Sequence, residues 1–225
     1  MATLYIVATP IGNLDDITSR ALNTLKEVDF ILCEDTRRTK NLLTHFEIST
    51  PTLSYHHHSD LKKVDQILNL LDEGKELALV SDAGTPGISD PGGRLIEEVI
   101  NRFGESVYIV PIPGCSAAIT AASIAGFSMD RFIFLGFPPS KNKRNKFFEE
   151  AMESKYPVII YESPHRISKT LKEIMEHDES RGVVVCRELT KKFETIHRGS
   201  VCNVLEKVEK DKVKGEFTLI IRPRE

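Results

Sequence analysis

Short apolar, β-branched runs alternate with stretches of helical periodicity through the first half of the chain. Residues 4–8, 29–33, 52–55, 77–80 and 106–110 are the apolar runs, and their length and composition predict strands rather than helices. Residues 16–27 place Ile17, Ala21, Leu22 and Leu25 on one face, which predicts an amphipathic helix with Asp15 or Asp16 as its cap. Further helices are predicted over 38–46, over 61–73 with Gly74 closing the last turn, and over 95–103 with a start near Gly93. Strand, helix, strand in this rhythm predicts an α/β fold with a mainly parallel sheet and right-handed crossovers.

The sequence Pro111-Ile112-Pro113-Gly114 breaks that rhythm. It is read as the boundary between an N-terminal α/β domain, 1–112, and a C-terminal one, 113–225. The second half restarts with a helix of small residues over 116–125, followed by strands at 132–136, 158–161, 183–187 and 216–222. Helices are predicted over 143–153, 164–177 and 201–209, and 192–198 alternates like an exposed strand or hairpin arm.

Composition narrows the function classes. At 225 residues, 40% hydrophobic and 28% charged, the chain is of ordinary globular make-up. A net charge of −3 rules out an overall basic field, so any contact with nucleic acid rests on local patches. Cys33, Cys115, Cys186 and Cys202 lie far apart with no C-x-x-C pairing, which suits a reduced, cytosolic setting better than a disulfide frame. The amino terminus, MATLYIVATP, has no basic region of a signal peptide, and no apolar run is long enough to span a bilayer. The expectation is a soluble, cytoplasmic protein.

The segment 81–92, SDAGTPGISDPG, carries the strongest chemical signal. It follows a predicted buried strand and precedes a helix, the place where an open α/β sheet offers backbone groups to a ligand. Three glycines and two prolines in twelve residues are costly for a mere connection. The loop matches neither G-x-x-x-x-G-K-[ST] nor G-x-G-x-x-G. Four other polar segments also follow predicted strands: 8–14, 34–37, 161–166 (where Pro164 suits a helix's first turn) and 187–192. With the two sheets side by side, these polar groups would face one cleft.

Each has a plainer alternative. Glu34-Asp35-Thr36-Arg37 reads equally well as a capped helix start with a surface ion pair, and His165 with Arg166, taken alone, reads first as solvated. Three consecutive histidines, 56–58, alternate faces on an extended chain and cannot chelate one ion together, so no metal is expected and the run reads as an exposed polar loop. Lys141, Lys143, Arg144 and Lys146 read as a solvated basic face, with an RNA phosphate contact as the minority alternative. Cys115 and Cys186 read as small packed hydrophobes.

Taken in order, ATPIGNLDDIT, EDTR, SDAGTPGISDPG, PGCSAAITA, YESPHR, RELTK and GEFTLII resemble one family. It is the bacterial small-subunit (16S) ribosomal RNA (cytidine-2′-O)-methyltransferases, within the tetrapyrrole (corrin/porphyrin) methylase superfamily. The resemblance runs over 4–221. It implies two α/β domains of the class III methyltransferase kind, the first sheet mainly parallel and the second mixed. It also implies S-adenosylmethionine in a cleft between them, and usually a homodimer acting on 16S rRNA or the small ribosomal subunit. Carried over by motif, the cofactor-binding positions are Pro10, Ala83, Gly84, Thr85, Ile88, Ser116 and Ala117, and less securely Ser163 and Glu188. The helix start at Ser116 would offer N–H groups to the cofactor's carboxylate. Cys115 stands where relatives commonly carry proline, and several relatives continue past the position of Glu225; if that extension grips RNA, this protein grips it differently.

A ribose 2′-hydroxyl is a poor nucleophile, so a base or a lowered hydroxyl pKa is needed. Asp35, Glu162 and His165 are the catalytic candidates. Arg37, Arg166 and Lys191 are candidates for substrate phosphates or a developing alkoxide, while Asp82 and Asp90 read as loop-shaping. Two alternatives remain. One is a tetrapyrrole or diphthamide-precursor methylase of the same superfamily, against which Thr9-Pro10-Ile11-Gly12-Asn13 argues because it lacks the G-x-G-x-G-D-like turn. The other is a non-catalytic ribosome-assembly factor.

Overall fold

The apolar runs of the first half become five strands of one sheet in a computed structural model that describes residues 1–56, 61–211 and 213–224. The chain divides into two units, Met1–Ser116 and Ala117–Glu225. In the first, β1 (Thr3–Val7), β2 (Phe30–Cys33), β3 (Thr52–Ser54), β4 (Leu77–Leu79) and β5 (Tyr108–Ile112) are all parallel and ordered β3-β2-β4-β1-β5. A central strand buried on both faces must be apolar at every position, and β4 is buried throughout. Successive side chains then serve opposite cores. Leu77 and Leu79 pack with Ile67, Leu71, Leu95 and Val99 of α3 (Leu61–Asp72) and α4 (Gly93–Phe103). Ala78 packs on the other side with Ala21, Leu25 and Leu43 of α1 (Ser19–Glu27) and α2 (Thr36–His45).

Three local readings are corrected. The stretch predicted as one helix over 16–27 opens with a 3-10 turn, Leu14–Asp16, capped by Asn13; α1 then starts afresh, with the Thr18 hydroxyl accepting from Ala21 N. Neither Asp15 nor Asp16 is the cap of α1, because Ile17 and Thr18 are extended. The helix after β2 begins at Thr36, with Asp35 as its cap. The strand β5 runs through Pro111, where a break was expected. It lies at the sheet's edge with β1 as its one neighbour, and an edge tolerates proline's missing donor.

The second unit's sheet is mixed, ordered β6-β7-β10-β8-β9. Its strands are β6 (Ile133–Gly136), β7 (Val158–Glu162), β8 (Gly182–Arg187), β9 (Thr195–Ser200) and β10 (Phe217–Ile221). The β6–β7 pair is parallel and the other three pairs are antiparallel. One face, with Val158, Ile160, Val183, Val185, Leu219 and Ile221, packs against α6 (Arg144–Glu153), α7 (Ile167–His177) and α8 (Val201–Lys210). The alanine-rich α5 (Ala117–Ser123) packs on β7 and β10, its small side chains allowing close approach. The helix expected from Pro164 begins at Ile167, after a turn over 163–166. The predicted arm over 192–198 is the edge strand β9, paired to β8. Among the described residues no helix is long and apolar enough to cross a membrane.

Candidate functional site

Parallel strands end together, so the loops after β1, β2, β4 and β5 meet at one edge of the first sheet. Thr9 N donates to Gly84 O (2.9 Å) and Gly84 N to Thr9 O (3.0 Å), bridging the loops after β1 and β4. The Thr9 hydroxyl donates to Ser81 O (3.3 Å), and the Thr85 hydroxyl reaches Cys115 O (3.0 Å) beyond β5. Gly84 is at φ +79°, and a Cβ there would sit 3.4 Å from Ile11 Cγ2 and 3.6 Å from Cys115 O. A side chain would meet only ordinary contacts there, but its backbone would be strained at the point where three loops converge. Pro10 and Gly84 are buried, Ala83, Thr85 and Ser116 half-buried, and Ile88 stands exposed on the loop's crest. Asp82 fastens the β4 loop to the β2 loop: its Oδ1 accepts from Asp35 N (3.1 Å) and its Oδ2 pairs with Arg38 (3.2 Å).

Asp35 caps α2 and grips Arg37. Its Oδ1 accepts from Arg37 N (2.8 Å) and Nε (3.1 Å), while Oδ2 faces the terminal nitrogen at 2.9 Å. Hydrogen bonds from the Arg37 side chain and backbone hold the Asp35 carboxyl down at about 2, far from the range that suits a general base. The Arg37 side chain is 89% exposed. A folded pKa below the unfolded value stabilises the protein above about pH 4 and ceases to do so as pH falls through about 2. Thermal melts of Asp35→Asn beside the parent should therefore differ at neutral pH and converge between about pH 4 and 2. A gap that persists unchanged into acid would assign the effect to the cap geometry instead.

In the second unit the carboxylate of Glu162, the last residue of β7, is 0% exposed. Oε1 accepts from Ser163 N (2.7 Å) and Arg166 Nε (2.8 Å), and Oε2 from the Thr170 hydroxyl (2.7 Å). Arg144, expected on a solvated basic face, is instead buried with 4% of its side chain exposed. The reason is its set of partners: Glu173 (2.7 Å), the Thr170 hydroxyl (2.7 Å), Pro139 O (2.9 Å), and Glu162 at 3.7 Å. Lys141, Lys143 and Lys146 do stay exposed. Arg166 adds bonds to the Ser163 hydroxyl (3.2 Å) and Pro138 O (3.0 Å). This network fixes the turn carrying His165, which is itself exposed. Sequence reasoning placed Arg144 at the surface and missed Thr170 and Glu173. The one available signal was the i, i+3 spacing of Thr170 and Glu173 on a single face of α7.

At the start of α5 the Ala118 N–H is already taken, donating to the Tyr161 hydroxyl (3.2 Å). The donor set expected there for an anion is reduced accordingly.

Glu188, after β8, sits at φ +51° and accepts from Lys191 Nζ and Glu216 N, both at 2.9 Å. Lys191 also reaches Glu216 Oε2 (2.9 Å). Burial pushes the Glu188 carboxyl up, but the Lys191 and Glu216 hydrogen bonds outweigh it and the net shift is downward. Burial likewise opposes the charge on Lys191, and its two carboxylates raise it. Gly215, at φ +95°, leaves the space the Glu188 side chain fills; a Cβ there would collide with it. Gly215→Ala should cost about 1–3 kcal/mol, read as a lower urea midpoint at unchanged slope. A midpoint equal to the parent's would show that Glu188 can move aside freely.

Burial pushes the Cys33 thiol up and that of Cys186 to about 11; half-buried Cys115 donates to Asp16 O (3.4 Å). These are packed, unreactive thiols. No group of three metal-ligating side chains comes together among the described residues. Of the histidine run, His56 is exposed and His57 and His58 lie outside the described residues.

The family model described as Tetrapyrrole (Corrin/Porphyrin) Methylases matches residues 3–204. A protein of Halalkalibacterium halodurans named ribosomal RNA small subunit methyltransferase I is 46% identical over 220 residues, covering 97% of this chain and 75% of its own. One of the same name in Thermotoga maritima is 43% identical over 225 residues, with both chains covered completely. Among solved structures, a cobalt precorrin-4 methyltransferase matches with a TM-score of 0.69 at 21% identity, covering 98% of this chain and 94% of that one. A diphthine synthase matches with a TM-score of 0.72 at 13% identity, covering 99% and 90%. These two structural likenesses concern the fold alone.

Proposed function

The chain belongs to the tetrapyrrole (corrin/porphyrin) methylase family, and from that premise we propose that it methylates a cytidine 2′-hydroxyl of small-subunit (16S) ribosomal RNA with S-adenosylmethionine. The observation that carries the RNA substrate is the likeness, over 97–100% of this chain at 43–46% identity, to proteins named ribosomal RNA small subunit methyltransferase I. The tetrapyrrole and diphthine enzymes share the fold at 13–21% identity. The reading includes a cytoplasmic homodimer working on the small subunit or its RNA.

The first-unit loops suit the cofactor. The buried bridge between Thr9 and Gly84 ties the loops after β1 and β4 together, and exposed Ile88 offers an apolar face on the second of them. Pro10, Ala83, Gly84, Thr85 and Ile88 would hold S-adenosylmethionine, together with Ser116 and Ala117 and, in the second unit, Ser163 and Glu188. Bound there, the cofactor supplies a sulfonium methyl already primed for displacement, so the protein's main task is alignment.

Three candidates for the base separate by environment. Asp35 is held ionised by Arg37, and the oxygens of Glu162 are occupied in a buried network. His165 is exposed, on a turn that this network makes rigid, and imidazole is the side chain most often used for such proton transfer. His165 accepts the 2′-hydroxyl proton in this reading, and Glu162 positions its turn. Exposed Arg37 is the best placed of the cations to meet phosphate; Arg166 and Lys191 retain about a quarter of their side chains exposed and contribute as secondary contacts.

The test is incubation with methyl-labelled cofactor and small subunits from a strain lacking the modification. Label on a cytidine 2′-oxygen is expected. Label on a base, or on a tetrapyrrole or diphthamide precursor in place of RNA, would replace the proposal; no heat on titrating the cofactor would favour a non-catalytic assembly factor.

A further inference from the structure

At the far end of the second sheet from Glu162 and Glu188, the structure holds a depression of about 730 Å³ among β8, β9 and β10. The register separates the two ends: Gly182 lies opposite Ser200 and Val183 opposite Ile221, whereas Phe217 lies opposite Glu162 and Arg187. Four guanidiniums, Arg181, Arg198, Arg222 and Arg224, line the depression against one carboxylate, Asp178. That is a concentrated positive patch on a chain whose net charge is −3.

The patch is built rather than scattered. Arg181 is 3% exposed. Its terminal nitrogens donate to Arg222 O (3.1 Å) and Met152 O (3.3 Å), while Nε stands 3.3 Å from Asp178 Oδ2 without hydrogen-bond alignment. Asp178 itself accepts from Ser180 N (3.1 Å) and the Ser180 hydroxyl (2.7 Å) through Oδ1. Asp178 offsets buried Arg181, and Arg198, Arg222 and Arg224 have no further carboxylate among the described residues of the lining, which leaves the depression electropositive. On the rim, Arg198 is fixed by two bonds to Ile124 O (3.1 and 2.6 Å), and Arg222 lies over the Phe127 ring at 5.6 Å. Held guanidinium forks of this kind match phosphate oxygens and lose little freedom on binding them.

We propose that this depression is a second RNA-binding site, taking backbone phosphates of the ribosomal substrate well away from the methylated nucleotide. The inference rests on the ribosomal RNA reading above. It answers a need that reading creates: an acidic protein that must seat on a structured RNA requires a local phosphate anchor to fix its register.

The test uses the full chain and the double variant Arg198→Ala/Arg224→Ala, which spares buried Arg181. Binding to a fluorescein-labelled single-stranded RNA is followed by anisotropy across a potassium chloride series. Kd should rise about ten-fold, and the slope of log affinity against log salt should fall by about 0.7 for each phosphate the variant no longer neutralises. With small subunits as substrate, KM should rise about ten-fold at unchanged kcat. The lysine pair Arg198→Lys/Arg224→Lys should recover most of the salt slope. Equal Kd and equal slope in parent and alanine variant, or a parent that binds no RNA, would overturn the site. If the parent binds RNA with the expected salt sensitivity but transfers no methyl group to it, the anchor stands and the methylation reading falls. Methyl transfer with unchanged KM and slope in the variant removes the anchor alone.

Discussion

Glu162→Ala is expected to lower the stability of the chain by about 3–5 kcal/mol, the loss seen when one partner of a buried ion pair is removed. The arithmetic follows from who is left behind. Arg166 loses a 2.8 Å partner and Ser163 N a 2.7 Å one, the Thr170 hydroxyl loses its acceptor, and Arg144 retains Glu173 but sits buried with less compensating charge. Differential scanning calorimetry should show the melting temperature falling by about 10 °C. Glu162→Gln keeps an oxygen for Ser163 N or Arg166 and should lose less, about 1–3 kcal/mol. An alanine variant within about 0.5 kcal/mol of the parent would mean the network is not what holds this turn. Activity should fall in both variants in step with the lost order of the turn, and the pH–rate profile of the glutamine variant should keep the parent's shape. A profile that loses a limb would return Glu162 to the set of possible proton acceptors.

The parallel sheet could be read from the chain because strands buried on both faces leave continuous apolar runs, and β1, β2 and β4 do so. Boundaries were less legible where an edge relaxes the rules, as at Pro111, or where the side chain that caps a helix has polar competitors, as with Thr18 beside Asp15 and Asp16. The loop over 81–92 was legible because its glycines answer to local backbone demands, although the partner that makes Gly84 necessary, the Thr9 bridge, is 75 residues away. Arg144 shows the limit most clearly. A basic run looks solvated when only its neighbours are considered, and the groups that bury it, Thr170 and Glu173, are 26 and 29 residues distant. The segment 34–37 had two readings from sequence. The structure shows the capped helix start and the Asp35–Arg37 ion pair of the plainer one, and the low pKa of Asp35 then argues against its use as a base.

That elimination leaves the second large effect on His165. His165→Ala should lower kcat for methyl transfer to the small subunit by 10²–10⁴-fold, the range general-base catalysis contributes, with Kd for S-adenosylmethionine unchanged. The side chain is exposed and outside the Glu162 network, so stability should stay within about 0.5 kcal/mol of the parent, as for surface substitutions in general. This is the feature that separates a proton acceptor from a structural residue: Glu162→Ala loses activity with stability, whereas His165→Ala should lose activity alone. The limb of the pH–rate profile that belongs to the base should vanish in His165→Ala and survive in Asp35→Asn. If His165→Ala turns over at the parent's rate, no base of this kind operates. Activation of the 2′-hydroxyl by a cation is then the next hypothesis, and exposed Arg37, whose guanidinium Asp35 holds at 2.9 Å, becomes the residue to change next.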